Sequence, residues 1–396
     1  MPVVPTMPEA ALPPRGFAET EFEERTGFAQ TAMLESKLDA ILLTTEPEIR
    51  YFTGFQTQFF ESPTRPWFVL VPLSGKPIAV IPGLGLAGMR ATWIDDVRTW
   101  QSPCPEDDGI TLLADTLNGL PARFGQLGLA LGQESTLRMP VRDSQILAER
   151  IALSPVDCAK LLLKQRFVKS QAEVAKIRAV CQLTSAEFEA LPQYTSLGES
   201  ERQIGRRMRI NLLARGADST PFLVAGSGPG GYDNIIMGPT DRQLGEGDVL
   251  IIDTGTTFDG YFCDFDRNFA FGHIADDTRK AHATVYRATD AGFAAARPGA
   301  TMADVWRAMW EVLENGGALG NSVGRMGHGL GMQLTEWPSV KEDDLTLLTP
   351  GAVITLEPGM EFAADRQLVH EENIVITEDG AEYLTRRAPA EMPVVS

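Results

Sequence analysis

Short apolar runs bounded by glycine and proline alternate with helical segments in the first part of the chain. Residues 17–37, 85–92 and 110–124 have the composition of helices. The strand-like runs are rich in β-favouring residues. They are LDAILLTT, EIRYFTGF, WFVLVPL and KPIAVIPG, within residues 38–90, and GQLGLALG at 125–132. This alternation predicts an α/β domain.

The second part of the chain has longer helical patterns and strands that occur in pairs. Ser170 followed by Glu173 predicts a helix N-cap with a capping glutamate. The predicted helices are 159–191, 200–214, 276–297 and 302–315, and the predicted strands are 220–225, 249–254, 260–271, 352–357 and 369–376. Because helices and antiparallel strands are interleaved without βαβ alternation, this part is expected to be α+β.

The chain of 396 residues is long enough for more than one domain. We expect a proline-rich arm over residues 1–16, an N-terminal α/β domain over 17–160 and a catalytic domain over 161–396.

Composition excludes several classes of protein. The net charge is −18, with 35 basic and 53 acidic residues, and no basic cluster offers a face for nucleic acid. No apolar run approaches the ~20 residues that span a bilayer, so no membrane partner is expected. The four cysteines form no CxxC pair. The first residues lack the features of a secretory signal, which predicts a cytoplasmic location.

Three aspartates interrupt the apolar segment IIDTGTTFDGYFCDFDR at 251–267. Asp253, Asp264 and Asp266 lie among isoleucine, phenylalanine, tyrosine and cysteine residues that are expected to be buried. A buried carboxylate is normally paired, neutralised or bound to a metal ion. The segment therefore predicts a site that holds cations.

Further ligand-type residues follow at strand ends and glycine-rich bends. His328 stands between glycines, Glu357 ends an apolar strand before Pro-Gly, and Glu371 opens a strand. With Asp253 and Asp264 they form an oxygen-rich set with one imidazole, which suits Mn, Fe(II), Co or Zn. Five such ligands are enough for two divalent ions about 3.5–4 Å apart.

The fragments DTG…DFDR, HGLG, LEPGM and EENIVITEDG, in that order, resemble the motifs of the creatinase, Xaa-Pro aminopeptidase (prolidase) and methionine aminopeptidase superfamily. TTEPEIRYFTGF at 44–55 and VKSQAEVAKIRAV at 168–180 extend the resemblance to nearly the whole chain. It implies a pita-bread catalytic domain preceded by a creatinase-type N-terminal domain, and a homodimer.

The resemblance also implies roles for the ligand-type residues. Asp253 would bind one metal ion, and Asp264 and Glu371 would bridge both. His328 and Glu357 would bind the second ion, and Glu357 would also help to deprotonate the bridging water.

The same segment contains two further charged residues, Arg267 and Asp266. Arg267 would be a supporting partner of the metal-binding carboxylates. Asp266 is outside the family pattern and is expected to lie on the surface or in a supporting position.

The sequence departs from the proline-specific peptidases at two positions, where Ile236 and Thr335 replace histidines. A threonine can donate a hydrogen bond to an oxyanion, but it cannot carry a proton as imidazole does. His370 is a candidate substitute for the lost acid. The alternative is that His370 points away from the site, as the strand neighbour of Glu371.

Four residues are candidates for substrate binding. Tyr232 lies in the glycine-rich loop AGSGPGGYDN, and Glu336 and Trp337 belong to an E-W-P run that resembles one in a sulfonium lyase of the same fold. Trp337 could contact an onium group. Arg65, in the loop 55–68, could grip a substrate carboxylate in bidentate fashion, or it could be a solvated arginine at the domain edge.

The leading hypothesis is a dinuclear metallohydrolase that cleaves a C–N bond in a small molecule or short peptide, such as an Xaa-Pro dipeptide, with a metal-bridging hydroxide. The alternatives are a lyase of the dimethylsulfoniopropionate type, an amidohydrolase of the ectoine or creatine type, and a catalytically weak binding protein. Five intact ligand positions argue against the last alternative.

Overall fold

The computed structural model describes residues 12–321 and 323–396, so residues 1–11 of the predicted arm lie outside the described part. The described chain divides into two compact units, one spanning Pro14–Arg166 and the other Phe167–Ser396 with residues 12 and 13. Within the described residues, no helix is long and apolar enough to cross a membrane.

The first unit is built on a six-stranded mixed sheet in the order β4-β3-β2-β1-β5-β6. Its elements are α1 (Glu19–Ser36), β1 (Ala40–Leu43), α2 (Glu46–Thr53), β2 (Phe68–Pro72), β3 (Ile78–Pro82), α3 (Leu86–Arg90), β4 (Asp96–Trp100), α4 (Ile110–Asn118), β5 (Gln126–Leu129), α5 (Val141–Arg150), β6 (Ser154–Asp157) and α6 (Ala159–Phe167). Strand β1 is antiparallel to β2 and parallel to β5. Every residue of β1 and β2 is buried, as expected for central strands covered on both faces. The predicted α/β architecture is confirmed.

One strand prediction in this unit is wrong. The run EIRYFTGF forms helix α2 instead, because local signals for a helix outweigh its β-favouring composition. Thr45 and Glu48 form a capping box at its start, Pro47 occupies the first turn, and Gly54 ends it with φ 75°. The apolar side chains then lie on one buried face of the helix.

The second unit contains the remaining helices and strands. They are α7 (Gln171–Tyr194), α8 (Glu201–Ala214), β7 (Ser219–Pro229), β8 (Asp248–Phe258), β9 (Tyr261–Phe262), β10 (Phe265–Phe271), α9 (Asp276–Ala295), α10 (Met302–Asn315), β11 (His328–Gly329), β12 (Glu336–Ser339), β13 (Val353–Leu356), β14 (Gly359–Ala363), β15 (Arg366–Val369), β16 (Glu372–Ile376), β17 (Ala381–Tyr383) and β18 (Val394–Val395). The predicted stretch 159–191 is interrupted between α6 and α7. Ser170 and Glu173 form the predicted capping box at the start of α7.

Two sheets organise this unit. One has the order β18-β10-β8-β7, with β9 paired to β8, and the other has the order β12-β11-β13-β16-β17. Strands β14 and β15 form a separate hairpin. A single apolar core includes Ile251 of the first sheet, Ile354 of the second, and Val285 and Val305 of α9 and α10. The α+β prediction for this part of the chain is confirmed.

A buried ion pair anchors α7 to the turn between β8 and β9. The Lys176 ammonium lies 2.7 Å from the Asp259 carboxylate, and both side chains are 2% exposed. Asp259 has φ 48°, so the carboxylate is presented by a left-handed turn residue. Removing one charge of a buried ion pair is destabilising because the remaining charge loses its compensating partner away from solvent.

We therefore expect Lys176→Met to lower the free energy of unfolding by about 3–5 kcal/mol. Urea titration followed by circular dichroism measures the change. Arg202→Met is the matched control, because Arg202 pairs with Asp241 on the exposed surface and should leave the urea midpoint unchanged. Equal effects of the two substitutions would contradict a role for the buried pair.

Candidate metal centre

The first two ligand-type carboxylates lie on neighbouring strands of the β8–β10 sheet. Asp253 is on β8 and is half-buried, and Asp264 immediately precedes β10 and is buried. The register pairs Asp253 with Asp266, and directly opposite residues of an antiparallel pair share one face. The hairpin thus brings Asp253 and Asp264 to the same region of the sheet.

The imidazole of His328 is positioned by its flanking glycines. Gly327 has φ 131°, and a Cβ atom there would lie 2.1 Å from the Thr355 carbonyl oxygen. The His328 amide donates to Thr355 Oγ1 at 3.2 Å. Glycine is therefore required for this loop to lie directly against β13.

Contacts of the ring also set its tautomer. His328 Nδ1 lies 2.9 Å from the Gly329 carbonyl oxygen, which can only accept a hydrogen bond. Nδ1 therefore carries the proton in the neutral ring, and Nε2 presents its lone pair. Nε2 lies 3.4 Å from Asp264 Oδ2, so the lone pair faces the carboxylates.

The two glutamates lie at the ends of neighbouring strands in the second sheet. Glu357 directly follows β13, is half-buried, and donates its amide to the Met326 carbonyl at 3.0 Å. Glu371 directly precedes β16 and is 1% exposed. Asp264, His328 and Glu371 each offer a ligand atom, and these atoms lie within 4.8 Å of one another.

The electrostatics of this cluster favour a bound cation. Burial raises the pKa of Asp264 to about 8 and that of Glu357 to about 7. Burial, reinforced by the neighbouring carboxylates, raises the pKa of Asp253 and of Glu371 well above their ordinary values. Burial lowers the pKa of His328, which keeps the ring neutral and able to bind a metal ion.

Unsatisfied oxygen atoms provide the test of whether divalent ions fit here. Oδ1 of Asp253, Oδ1 of Asp264 and Oε1 of Glu371 are buried and have no hydrogen-bond partner among residues 12–321 and 323–396. Such atoms are uncommon in folded proteins and are expensive to bury. Three of them beside a neutral imidazole form the donor set of a hard or borderline divalent ion. The residues therefore fit the metal ions.

Comparison with known proteins agrees with the geometry. Residues 175–378 match the family model described as metallopeptidase family M24, and residues 25–168 match that of the creatinase/prolidase N-terminal domain. The chain belongs to metallopeptidase family M24. As a member of this family it has the pita-bread architecture and is a metallohydrolase.

This M24 protein is similar in sequence or structure to several dipeptidases. A probable dipeptidase PepE from Mycobacterium tuberculosis is 28% identical over 393 residues, which cover 96% of this chain and 98% of that protein. The crystal structure of dipeptidase PepE from Mycobacterium ulcerans has a TM-score of 0.82 and 29% identity, with 96% and 99% of the two chains covered. An Xaa-Pro dipeptidase from Pyrococcus furiosus is 26% identical over 223 residues, or 56% of this chain and 64% of that protein.

Two residues brace the carboxylates from behind. Asn373 Oδ1 accepts from the Asp264 amide at 3.0 Å, and Asn373 Nδ2 donates to the Asp264 carbonyl. Arg267 was predicted as a supporting partner. It donates to the Glu371 carbonyl oxygen at 2.8 Å and pairs with Glu372 Oε2 at 3.0 Å, so it supports the backbone of Glu371.

Asp266 does not lie on the surface, since it is only 1% exposed. Asn268 Nδ2 donates to Asp266 Oδ1 at 3.4 Å. Burial raises the pKa of Asp266, and the charge of Asp253 on the opposite strand raises it further. Asp266 is therefore a buried neighbour of the cluster, in line with the supporting position.

His370 lies in a separate network. The chain leaves β15 at Val369 and enters β16 at Glu372, and the His370 ring contacts Tyr286, Glu372 and Arg387. Although burial opposes it, the charge of Arg267 and the adjacent His370 ring lower the pKa of Glu372. The ring thus has partners in a buried network apart from the metal-binding cluster, and the catalytic role of His370 stays a prediction beside the alternative that it points away.

Two predicted substrate-binding residues are also committed elsewhere. Tyr232 is 1% exposed, and its hydroxyl donates to Asn268 at 3.0 Å and accepts from the Val369 amide at 2.7 Å. Glu336 is buried and pairs with Lys169 at 3.0 Å. A substrate contact would have to compete with these bonds, and the substrate-binding roles of both residues stay predictions.

Trp337 and Arg65 have contacts that leave their predicted roles untested. Trp337 packs edge-on against Phe167, with ring centroids 5.5 Å apart, and borders the core. Arg65 lies in the first unit, where Nε donates to Ser102 at 3.1 Å and the guanidinium lies over the Phe59 ring.

Ile236 and Thr335, which occupy the positions of the peptidase histidines, differ in solvent exposure and in contacts. Ile236 is 80% exposed. Thr335 is half-buried, and its hydroxyl accepts a hydrogen bond from Arg325 Nη2 at 3.1 Å.

Sequence reasoning missed Arg325, although its position three residues before His328 was a signal. It also missed Asn373, for which the sequence offers no comparable signal.

The raised pKa values predict that metal binding stabilises the protein more at higher pH. In the metal-free protein, protonated Asp264 and Glu357 contribute stability that is present near pH 4 and is lost as pH rises through about 7 and 8. Divalent ions bind the deprotonated carboxylates, so the rise in Tm caused by Mn²⁺ should grow from pH 6 to pH 8. Thermal unfolding with Mn²⁺ and with EDTA at each pH measures this.

Asp264→Asn supplies the control for this pH series, since an amide does not titrate. Its Tm should show a smaller Mn²⁺ effect and a flatter dependence on pH. A metal-induced shift in the wild-type protein that shrinks as pH rises would contradict the expected electrostatics.

Proposed function

We propose that the chain is a dinuclear metal-dependent dipeptidase of the Xaa-Pro type, which cleaves the C–N bond of a short peptide. The observation that carries this proposal is the clustering of ligand atoms of Asp264, His328 and Glu371 within 4.8 Å of one another, together with buried oxygens of Asp253, Asp264 and Glu371 that have no hydrogen-bond partner among the described residues. The names of the PepE relatives and of the Xaa-Pro dipeptidase support the substrate class.

The residues that would hold the ions divide between the two sheets. Asp253 would bind one ion, His328 and Glu357 the other, and Asp264 and Glu371 would bridge them. When bound, Mn, Fe, Co or Zn ions would lower the pKa of a water molecule and stabilise negative charge on the scissile carbonyl oxygen.

Glu357 is the residue best placed to accept a proton. It is half-buried, like Asp253, whereas Asp264 and Glu371 are buried. Burial raises its pKa to about 7, close to the value at which a general base works best near neutral pH. Glu357 would take a proton from the attacking water and pass it to the leaving amine.

The same proposal includes the arrangement of the whole protein. The N-terminal domain would span 17–160 and the catalytic domain 161–396, and the protein would act as a homodimer in the cytoplasm.

The lyase alternative has no support from the relatives, which are named as peptidases. An amidohydrolase acting on a small zwitterion is the reading that a failed peptidase test would favour.

The test of the proposed function is hydrolysis of Xaa-Pro dipeptides by protein loaded with Mn, Co or Zn. We expect metal-dependent cleavage with kcat of roughly 1–10³ s⁻¹, abolished by EDTA and restored by added metal. The metal content is measured in the same preparation, and two ions per chain are expected. Protein that holds two ions and cleaves no dipeptide would exclude the peptidase.

Glu357→Gln tests the proton acceptor. Glutamine keeps the shape of the side chain but cannot accept a proton from water, so kcat should fall by about 10²–10⁴-fold. Steady-state kinetics, together with metal analysis, separate a loss of chemistry from a loss of metal. Unchanged kcat in a variant that holds both ions would assign the proton to another group.

A further inference from the structure

The backbone of Asp264 lies at a break between strands β9 and β10. Strand β9 ends at Phe262, and the ladder that joins β10 to β8 begins at the pair Phe265–Thr254. Asp264 precedes this ladder, although it is buried and carries one of the ligand-type carboxylates. A buried peptide group outside a ladder needs other partners for its N–H and C=O groups.

The side chain of Asn373 supplies both partners. The Asp264 amide donates to Asn373 Oδ1 at 3.0 Å, and Asn373 Nδ2 donates to the Asp264 carbonyl oxygen. Asn373 is buried and lies on β16, which has β13 on one side and β17 on the other. For Asp264, one side-chain amide thus replaces the pair of hydrogen bonds that a neighbouring strand would provide.

The neighbours of this amide allow one orientation. A flipped amide would place its NH₂ group against the Asp264 N–H, which is a donor, and its oxygen against the Asp264 carbonyl, which is an acceptor. In the observed orientation Asn373 Oδ1 also accepts from Cys181 Sγ at 3.3 Å. Both lone pairs of Oδ1 are therefore used, one by the backbone of Asp264 and one by a thiol on α7.

The Cys181 thiol is a permanent donor to the amide. Its side chain is 0% exposed, and burial raises the pKa of the thiol well above its ordinary value, so the sulfur keeps its proton. The thiol thereby holds Asn373 from the side of the helix, while the strand holds it through the backbone. Asn373 is fixed before it contacts Asp264.

Asn373 also links two ligand-type carboxylates. It lies two residues after Glu371, which directly precedes β16, so the segment that presents Glu371 also binds the peptide of Asp264. Ligand atoms of Asp264, Glu371 and His328 lie within 4.8 Å of one another. In the proposed centre Asp264 and Glu371 would bridge the ions. A shift of the Asp264 backbone would therefore disturb the binding of both ions.

We propose that Asn373, held by the Cys181 thiol, is a positioning residue that sets the place of Asp264 relative to Glu371 and thereby the affinity of the centre for divalent ions. The inference rests on the proposed function for the bridging role of the two carboxylates. It assigns a part in metal binding to two residues that act through the backbone of a ligand.

Titration with Mn²⁺, followed by calorimetry, tests the role of Asn373. Asn373→Leu keeps the approximate size of the side chain but cannot bond the Asp264 peptide, so the affinity for Mn²⁺ should fall by about 10–100-fold. Circular dichroism confirms that the variant is folded at the temperature of the titration. An affinity equal to that of the wild-type protein would overturn the inference.

Asn118→Leu is the matched control. The Asn118 side chain also binds the backbone at two points, because it donates to the Arg150 carbonyl oxygen and accepts from the Ala152 amide, each at 2.9 Å. It lies in the first unit, whereas the ligand-type residues lie in the second. Its loss should leave the affinity for Mn²⁺ unchanged.

Cys181 variants give a milder test that does not depend on the folding of Asn373→Leu. Cys181→Ala removes one hydrogen bond from the amide and should lower the affinity for Mn²⁺ by about 2–10-fold. Cys181→Ser keeps a donor and should retain the wild-type affinity. Cys158→Ala is the control, since Cys158 is a buried thiol of the first unit. Equal affinities of Cys181→Ala and Cys158→Ala would contradict the role of the thiol.

The visible absorption of Co²⁺-loaded protein distinguishes positioning from a loss of stability. These bands depend on the number and arrangement of the ligands, so a displaced Asp264 should change them in Asn373→Leu and not in Asn118→Leu. A purely structural role would lower the Tm of the metal-free protein and leave both the Co²⁺ spectrum and the Mn²⁺ affinity of the folded protein unchanged. That combination would overturn the inference.

Hydrolysis of Xaa-Pro dipeptides by the same preparations separates this inference from the proposed function. Wild-type protein that binds the ions and cleaves no dipeptide would exclude the peptidase, while an affinity that depends on Asn373 and Cys181 would still support the positioning role. Protein that cleaves dipeptides, with one Mn²⁺ affinity for the wild type, Asn373→Leu and Cys181→Ala, would overturn the inference and leave the function standing.

Discussion

Repulsion between buried carboxylates is the constraint on which the second unit depends. Asp253, Asp264, Glu357 and Glu371 converge in a region from which water is largely excluded, where like charges repel strongly. Arg325 relieves part of this repulsion, yet the pKa of Asp264 remains raised. The cluster is therefore stable at neutral pH only with cations bound or with protons retained.

Backbone contacts hold the cluster against that repulsion. Gly327 allows the histidine loop to lie against Thr355, and Asn373 ties the start of β10 to β16 through both atoms of its amide.

Glu371 and Glu372 show how neighbouring groups change the pKa of identical side chains. Both are buried, but the pKa of Glu371 is raised beside other carboxylates, while that of Glu372 is lowered by Arg267 and His370.

The sequence could predict features that are encoded locally. The capping box of Ser170 and Glu173 and the family motifs at strand ends are short segments whose function depends on neighbouring residues. The helix at 46–53 was missed because its capping signals competed with a β-favouring composition. The ion pair of Lys169 with Glu336 joins residues 167 positions apart, and no local pattern announces it. The same holds for Tyr232, whose hydroxyl partners come from two other strands. The sequence therefore singled out Asp264, His328 and Glu371, which the fold brings together, but it could not predict partners that the tertiary register selects.

The division of the ligand-type residues between two sheets has a consequence for folding. Asp253 and Asp264 belong to the β8–β10 sheet, whereas His328, Glu357 and Glu371 belong to the β11–β13–β16 sheet. An ion held by residues from both sheets acts as a crosslink between them, comparable in its effect to a disulfide that closes a long loop. Without the ions, the shared core and the contacts of Asn373 and Arg267 are the remaining links between the sheets, so the loaded protein should unfold more cooperatively than the metal-free protein.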